Sequence, residues 1–155
     1  MNLMLVSLFG QSNDTSKLTV RVTGARNATG TMWIALYRNA RGFPENPSKV
    51  FRVKDAAIDP QMLSAQAGFD DIPQGTYAVA VFHEEKVNGK PEKTFVGTPE
   101  EGYGASNNPK KRMRSPTFDE AKFSVAEEER LIEIKLVYRT HAELPRIAAA
   151  AMAAA

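Results

Sequence analysis

The feature that most constrains this chain is alternation with a period of two, recurring in separate runs between residues 18 and 138. Successive side chains of an extended strand point to opposite sides, so such a pattern suits strands with one buried face. Leu18, Val20 and Val22 alternate with Thr19, Arg21 and Thr23. Residues 31–38 carry Met32, Ile34 and Leu36 on one side and Trp33, Ala35 and Tyr37 on the other, which predicts a central strand covered on both faces. Residues 76–83 give the clearest strand: Tyr77, Val79 and Val81 oppose Ala78, Ala80 and Phe82. The last alternation places Ile132, Ile134, Leu136 and Tyr138 inward.

Turn residues punctuate these runs. Gly24 and the cluster Asn27-Ala28-Thr29-Gly30 end the first. Gly42, Pro44 and Pro47 mark a loop over 39–49, with Phe43 tucked in. Residues 50–54 read as an edge strand, with a short helix over 48–57 as the alternative, and 62–69 as a further strand. Asp70-Asp71-Ile72-Pro73-Gln74-Gly75 reads as a turn. Strands resume at Ala121, Phe123 and Val125. Residues 84–120 lack periodicity, and long loops of that kind usually carry function or are disordered. The expected fold class is therefore all-β: a seven-stranded Greek-key β-sandwich, transthyretin-like or immunoglobulin-like.

Composition narrows the chemistry. With 155 residues, one domain is expected. The absence of cysteine removes disulfides, thiolate catalysis and cysteine zinc sites. Two histidines, His83 and His141, are too few for a multi-histidine metal centre. A net charge of +2 gives no electrostatic footprint for nucleic acid. The run Met1-Asn2-Leu3-Met4-Leu5-Val6-Ser7-Leu8-Phe9-Gly10 before a polar break has the pattern of a secretory signal peptide, without the usual basic start. It is too short to span a bilayer. The expected organisation is a signal peptide or flexible arm over 1–16, a β-sandwich domain over 17–139 and an alanine-rich tail over 140–155.

The stretch Ile72-Pro73-Gln74-Gly75-Thr76-Tyr77-Ala78-Val79-Ala80-Val81-Phe82-His83 resembles a bacterial family, domain-of-unknown-function family 2141. The likeness continues through Asn88-Gly89-Lys90, through Gly97-Thr98-Pro99-Glu100-Glu101-Gly102-Tyr103-Gly104-Ala105-Ser106-Asn107-Asn108, and through Pro116-Thr117-Phe118-Asp119-Glu120-Ala121-Lys122-Phe123. Gly30, Ala35-Leu36-Tyr37 and Phe43 also fit. The resemblance implies a small exported protein with a transthyretin-like or prealbumin-like sandwich, and carries no activity. The family's turn after the histidine is usually rich in Asp and Asn, similar to a calcium loop. Here it reads Glu84-Glu85-Lys86-Val87-Asn88-Gly89-Lys90, and Lys86 stands where calcium wants an oxygen.

Four features have candidate chemistry. His83 beside Glu84 and Glu85 suits acid–base work or ligation, against a structural histidine at a loop base. Tyr103 between Gly102 and Gly104, followed by Ser106 and Asn107, offers an aromatic face for a sugar or protein, against a plug at the end of the sandwich. Lys110, Lys111 and Arg112 begin a basic run suited to anionic surfaces, against a solvated loop. Tyr138-Arg139-Thr140-His141 shares only its first two residues with the Tyr-Arg-Gly-Ser signature of hydroxyisourate hydrolases.

The expected function is a non-catalytic, secreted or periplasmic binding or accessory module that recognises an envelope protein or glycan through the 84–120 face. Its binding residues would be His83, Tyr103, Ser106, Asn107, Lys110, Lys111 and Arg112. It would need no cofactor or metal and bind no nucleic acid. The alternatives are a small hydrolase-like enzyme using His83 with Glu84 or Glu85, and a subunit of a larger envelope complex.

Overall fold

The computed structural model describes residues 14–85, 102–110 and 114–138. The N-terminal apolar run, the 86–92 turn, Lys111, Arg112 and the alanine-rich tail lie outside these. Nine strands occur among the described residues: β1 (Thr15–Thr23), β2 (Thr31–Tyr37), β3 (Arg52–Ala56), β4 (Ala65–Pro73), β5 (Gly75–Glu84), β6 (Gly102–Ala105), β7 (Phe123–Val125), β8 (Glu129–Lys135) and β9 (Val137–Tyr138). A single helical turn, α1 (Phe118–Ala121), precedes β7.

The strands form two sheets, ordered β4-β1-β8 and β3-β2-β5-β6-β9, with β7 against the start of β5. The alternating faces meet as expected. Leu18, Val20, Val22, Phe69, Ile72 and Ile134 of one sheet pack on Met32, Ile34, Leu36, Val79 and Val81 of the other, all buried. Each such side chain contributes about 1.5–3 kcal/mol by leaving water. The expected sandwich is therefore present.

All seven expected strands are found, and the count rises to nine for two physical reasons. Gly102–Ala105 pairs with β5 although Gly-Tyr-Gly shows no apolar alternation. The last run divides at Leu136, whose N–H donates to Thr23 at 2.9 Å where the chain crosses between sheets. The expected turn at 70–75 is shorter than the sequence suggests. β4 continues to Pro73 through a bulge opposite Lys17, with Asp71 at φ 52°, and Gln74 alone connects to β5. The alternative helix at 48–57 shrinks to a 3₁₀ turn at Pro47–Lys49 before β3. β8 runs parallel to β1, with Lys17 opposite Glu129 and Thr23 opposite Lys135.

Side chains close parts of the sheet borders. Lys54 on β3 donates to the Gly68 carbonyl of β4, and Arg52 donates to the carbonyls of Asp70 and, at 3.2 Å, Asp71. On the opposite border the Asn108 amide pairs with β8 like a strand's peptide group. Its Nδ2 donates to Glu133 O at 3.4 Å and its Oδ1 accepts from Lys135 N at 2.9 Å.

Candidate functional site

Strand register builds an aromatic row on the outer face of the larger sheet. Trp33 lies opposite Phe82, and Phe82 opposite Tyr103, on three neighbouring strands. Directly opposed residues share a face, with neighbouring strands about 4.8 Å apart. All three rings are half-buried. Glu84 stands beside the row and accepts from the Trp33 indole N–H at 2.6 Å.

The other half of this face is covered. Phe43 packs edge-on against Tyr37 at 5.2 Å and Phe118 at 5.9 Å, over Ala35, Ala78 and Ala80. The Tyr37 hydroxyl donates into the carbonyls of that loop, nearest Pro44 at 3.1 Å, and burial raises its pKa. Phe43 is thus tucked in as expected, on the outside of a sheet.

The glycines around Tyr103 are explained by the opposite face. A Cβ on Gly102 would lie 2.7 Å from the Tyr138 ring, and one on Gly104 2.7 Å from Ile134 and 3.0 Å from Val81. Only glycine lets β6 come this close to the core. Tyr103 consequently points outward, and Tyr138 fills the inner side beneath Gly102.

A cleft of about 260 Å³ opens beside Tyr103. Val137 and Ala105 share it, Pro109 and Pro116 form apolar walls, and Lys110, Lys135, Arg114 and Glu120 supply charge. Glu120 is engaged: Arg114 donates to it at 2.7 and 3.2 Å, and Thr117 N–H at 2.9 Å in a capping box. Among the described residues no carboxylate lies within ion-pair distance of Lys110 or Lys135.

The expected binding residues separate. Tyr103 and Lys110 face the cleft. Asn107 is exposed, but its amide donates to the carbonyls of Glu120 at 3.2 Å and Lys122 at 2.8 Å, holding α1 in place. Ser106, expected on the binding face, is buried instead: its hydroxyl donates to Ala121 O at 2.5 Å and accepts from Val79 N at 2.9 Å. Lys111 and Arg112 lie outside the described residues.

His83 is likewise turned inward, fully buried. Its Nε2 lies 2.7 Å from the Thr29 carbonyl and its Nδ1 2.7 Å from the Tyr138 hydroxyl. A carbonyl only accepts, so Nε2 carries the proton and Nδ1 accepts from tyrosine. The Tyr138 hydroxyl accepts in turn from Arg26 N–H at 3.0 Å, and burial raises its pKa. The Arg26 guanidinium donates to Glu85 at 2.5 Å and, mainly through this bond, holds that carboxyl below its usual range. Neither ring nitrogen is left for a substrate, and Glu84 lies on the other face of the sheet. Glu85 Oε1 does lie 3.8 Å from His83 Nδ1, but His83 is fully buried and both its ring nitrogens already have hydrogen-bond partners, which speaks against the expected pairing of His83 with Glu84 or Glu85 for hydrolysis.

Sequence reasoning missed Phe82 and Trp33 as one surface because register is a tertiary property. It missed Lys135 because a lysine on a strand's outward face carries no local signal.

Among curated proteins none matches the chain. Similar solved structures include a fimbrial assembly protein from Parabacteroides distasonis, at 11% identity and TM-score 0.43, covering 80% of this chain and 53% of that one. Another is the pilus-presented adhesin Cpa, at 13% identity and TM-score 0.25, covering 82% of this chain and 28% of that one. The chain thus spans about half the length of the first and about a quarter of the second. A family model described as "Uncharacterized protein conserved in bacteria" matches residues 20–133, the span from β1 into β8, and the chain belongs to that family, DUF2141.

Proposed function

We propose that this protein is a non-catalytic, extracytoplasmic binding or accessory module that recognises an envelope protein or glycan. Its recognition surface is the outer face of the larger sheet where the 84–120 segment departs and returns. The observation that carries this reading is the alignment of Trp33, Phe82 and Tyr103 in one half-buried row beside a charged cleft. Aromatic residues on a rigid scaffold supply contact area at low entropic cost, and Tyr and Trp add a polar handle. The placement outside the cytoplasm draws on the apolar run at residues 1–10. Buried, fully engaged His83 speaks against the hydrolase alternative.

The test is recovery of partners from native envelope extract by the wild type, Trp33→Ala and Tyr103→Ala. Loss of the same partner by both folded variants supports the reading. Equal recovery of every partner by all three proteins removes this face as the binding surface.

The role of subunit in a larger assembly is favoured by a different observation. β8 is a border strand of the smaller sheet, and Leu131 on it is 59% exposed. A border strand can accept a partner's strand. Native mass spectrometry showing Leu131→Lys dissociating a complex that Tyr103→Ala leaves whole would favour this second role.

A further inference from the structure

We infer that Arg52 and Lys54 form an autoinhibitory contact that keeps the border of β4 from pairing with β4 of a second copy of this chain. The inference concerns the edge of the smaller sheet and is independent of the binding reading of the other sheet's outer face. On β3, Arg52 lies opposite Leu36 and Lys54 opposite Ile34, so both take inward positions where β2 carries buried apolar residues. Their charged ends cross to the facing sheet. Lys54 donates to the Gly68 carbonyl, and Arg52 to the carbonyls of Asp70 and, at 3.2 Å, Asp71. Rings hold both cations in place: the Lys54 ammonium sits 5.7 Å from the centre of the Phe69 ring, and the Arg52 guanidinium 5.1 Å from that of Phe51. Charged side chains turned inward on a border strand are a known means of blunting a sheet edge.

The capped carbonyls are those a second chain would use. β4 ends its sheet and pairs with β1. Peptide groups two residues apart on a strand point the same way, so Gln66, Gly68 and Asp70 form the row that faces away from β1. An antiparallel pair draws one such row from each strand. A two-fold axis at Gly68 supplies both rows from the same segment: Gly68 meets Gly68 of the copy, and Gln66 meets Asp70 in each half.

The side chains fit this register. On the inner face the small Ala67 would oppose the large Phe69 of the copy, and the reverse, both apolar. On the outer face Gln66 would oppose Asp70, an amide against a carboxylate, with no like charges directly opposed. Gly68 brings no side chain to hold the copies apart at the axis. Lys54 caps the acceptor at that axis, and Arg52 the acceptor of the flanking pair. The two cations therefore occupy the bonds on which a self-complementary pairing would be built.

The test uses the full chain. It has no cysteine, so Gly68→Cys marks the axis with a single thiol. A Cβ at this position meets Lys17 Cε at 3.9 Å, an ordinary contact. Directly paired strands bring Cα atoms to about 5.5 Å, within reach of a disulfide. Wild type and Arg52→Thr/Lys54→Thr are compared with and without Gly68→Cys, by sedimentation velocity and by non-reducing gel after mild oxidation. Threonine keeps strand propensity and is too short to reach β4. The double variant should shift from 17.0 kDa to twice that mass and cross-link through the introduced thiol, whereas Gly68→Cys in the wild-type background should give no cross-link. Arg52→Lys/Lys54→Arg, which keeps both charges, should behave as wild type. Lys54→Thr alone uncovers the acceptor at the axis and should give the same cross-link in lower yield, so the test holds even if the double variant fails to fold. Monomeric Lys54→Thr and double variants, equal cross-linking in the wild-type background, or a dimer that forms no cross-link overturns the inference.

Discussion

The Tyr138 hydroxyl lies 2.7 Å from Nδ1 of His83, tying the end of the described chain to the end of β5 inside the sandwich. Both rings exist in this arrangement because Gly102 leaves room for Tyr138 beside β6. Replacing His83 with alanine leaves two partners, the Thr29 carbonyl and the tyrosine hydroxyl, without their bonds. His83→Ala should cost about 2–4 kcal/mol and Tyr138→Phe about 1–2 kcal/mol. Urea unfolding of both single variants and the double variant checks this, and the double should lose less than the sum because the two share one bond.

Acid should weaken the network through Glu85. Its folded-state pKa is lowered, chiefly by the Arg26 hydrogen bond, from an ordinary value of 4.5. A lowered carboxyl pKa adds stability that is fully present above 4.5 and lost as pH falls through the folded value. The pair is partly exposed, so the gain at neutral pH is at most about 1 kcal/mol. Glu85→Gln should flatten the acid limb of the stability–pH curve below that point, as measured by melting temperature at stepped pH. An unchanged limb would count against the Arg26 pairing.

Gly104→Ala should destabilise without touching the outer face. The added Cβ would sit 2.7 Å from Ile134 Cγ2 and 3.0 Å from Val81 Cγ2, both in the core. Overpacking of this kind costs about 1–3 kcal/mol. The check is a lower urea midpoint at unchanged m-value; recovery by Ile134→Val would identify the clash.

Asn108→Ala should open the border of the smaller sheet. The two bonds from its amide are exposed, so water replaces them in part and the loss should stay near 0.5–1.5 kcal/mol. The sharper readout is local. The Lys135 amide should exchange with solvent faster in the variant, while that of Leu136, bonded to Thr23, should not. Light scattering would show whether the freed border associates with other chains.

How much of this was legible beforehand differs between fold and site. Period-two runs located β1, β2, β5 and β8 because each buries one face, and burial is what alternation records. The Gly-Tyr-Gly strand escaped because its inward positions hold no side chain at all; the partners that forbid one, Tyr138 and Ile134, are distant in sequence. Tyr103 was recognisable from its own neighbours, yet its companionship with Phe82 and Trp33 depends on pairing register. His83 and Ser106 look like chemistry in sequence. Their burial and backbone partners make them fasteners.

The parallel union of β1 with β8 sets an order on biosynthesis. β1 is the middle strand of its sheet, and one of its two neighbours is among the last parts of the domain to leave the ribosome. A nascent chain ending before Glu129 has translated most of the domain yet leaves one side of β1 bare. Completion of that layer must wait for two strands distant in sequence to meet, the kind of non-local pairing that slows folding.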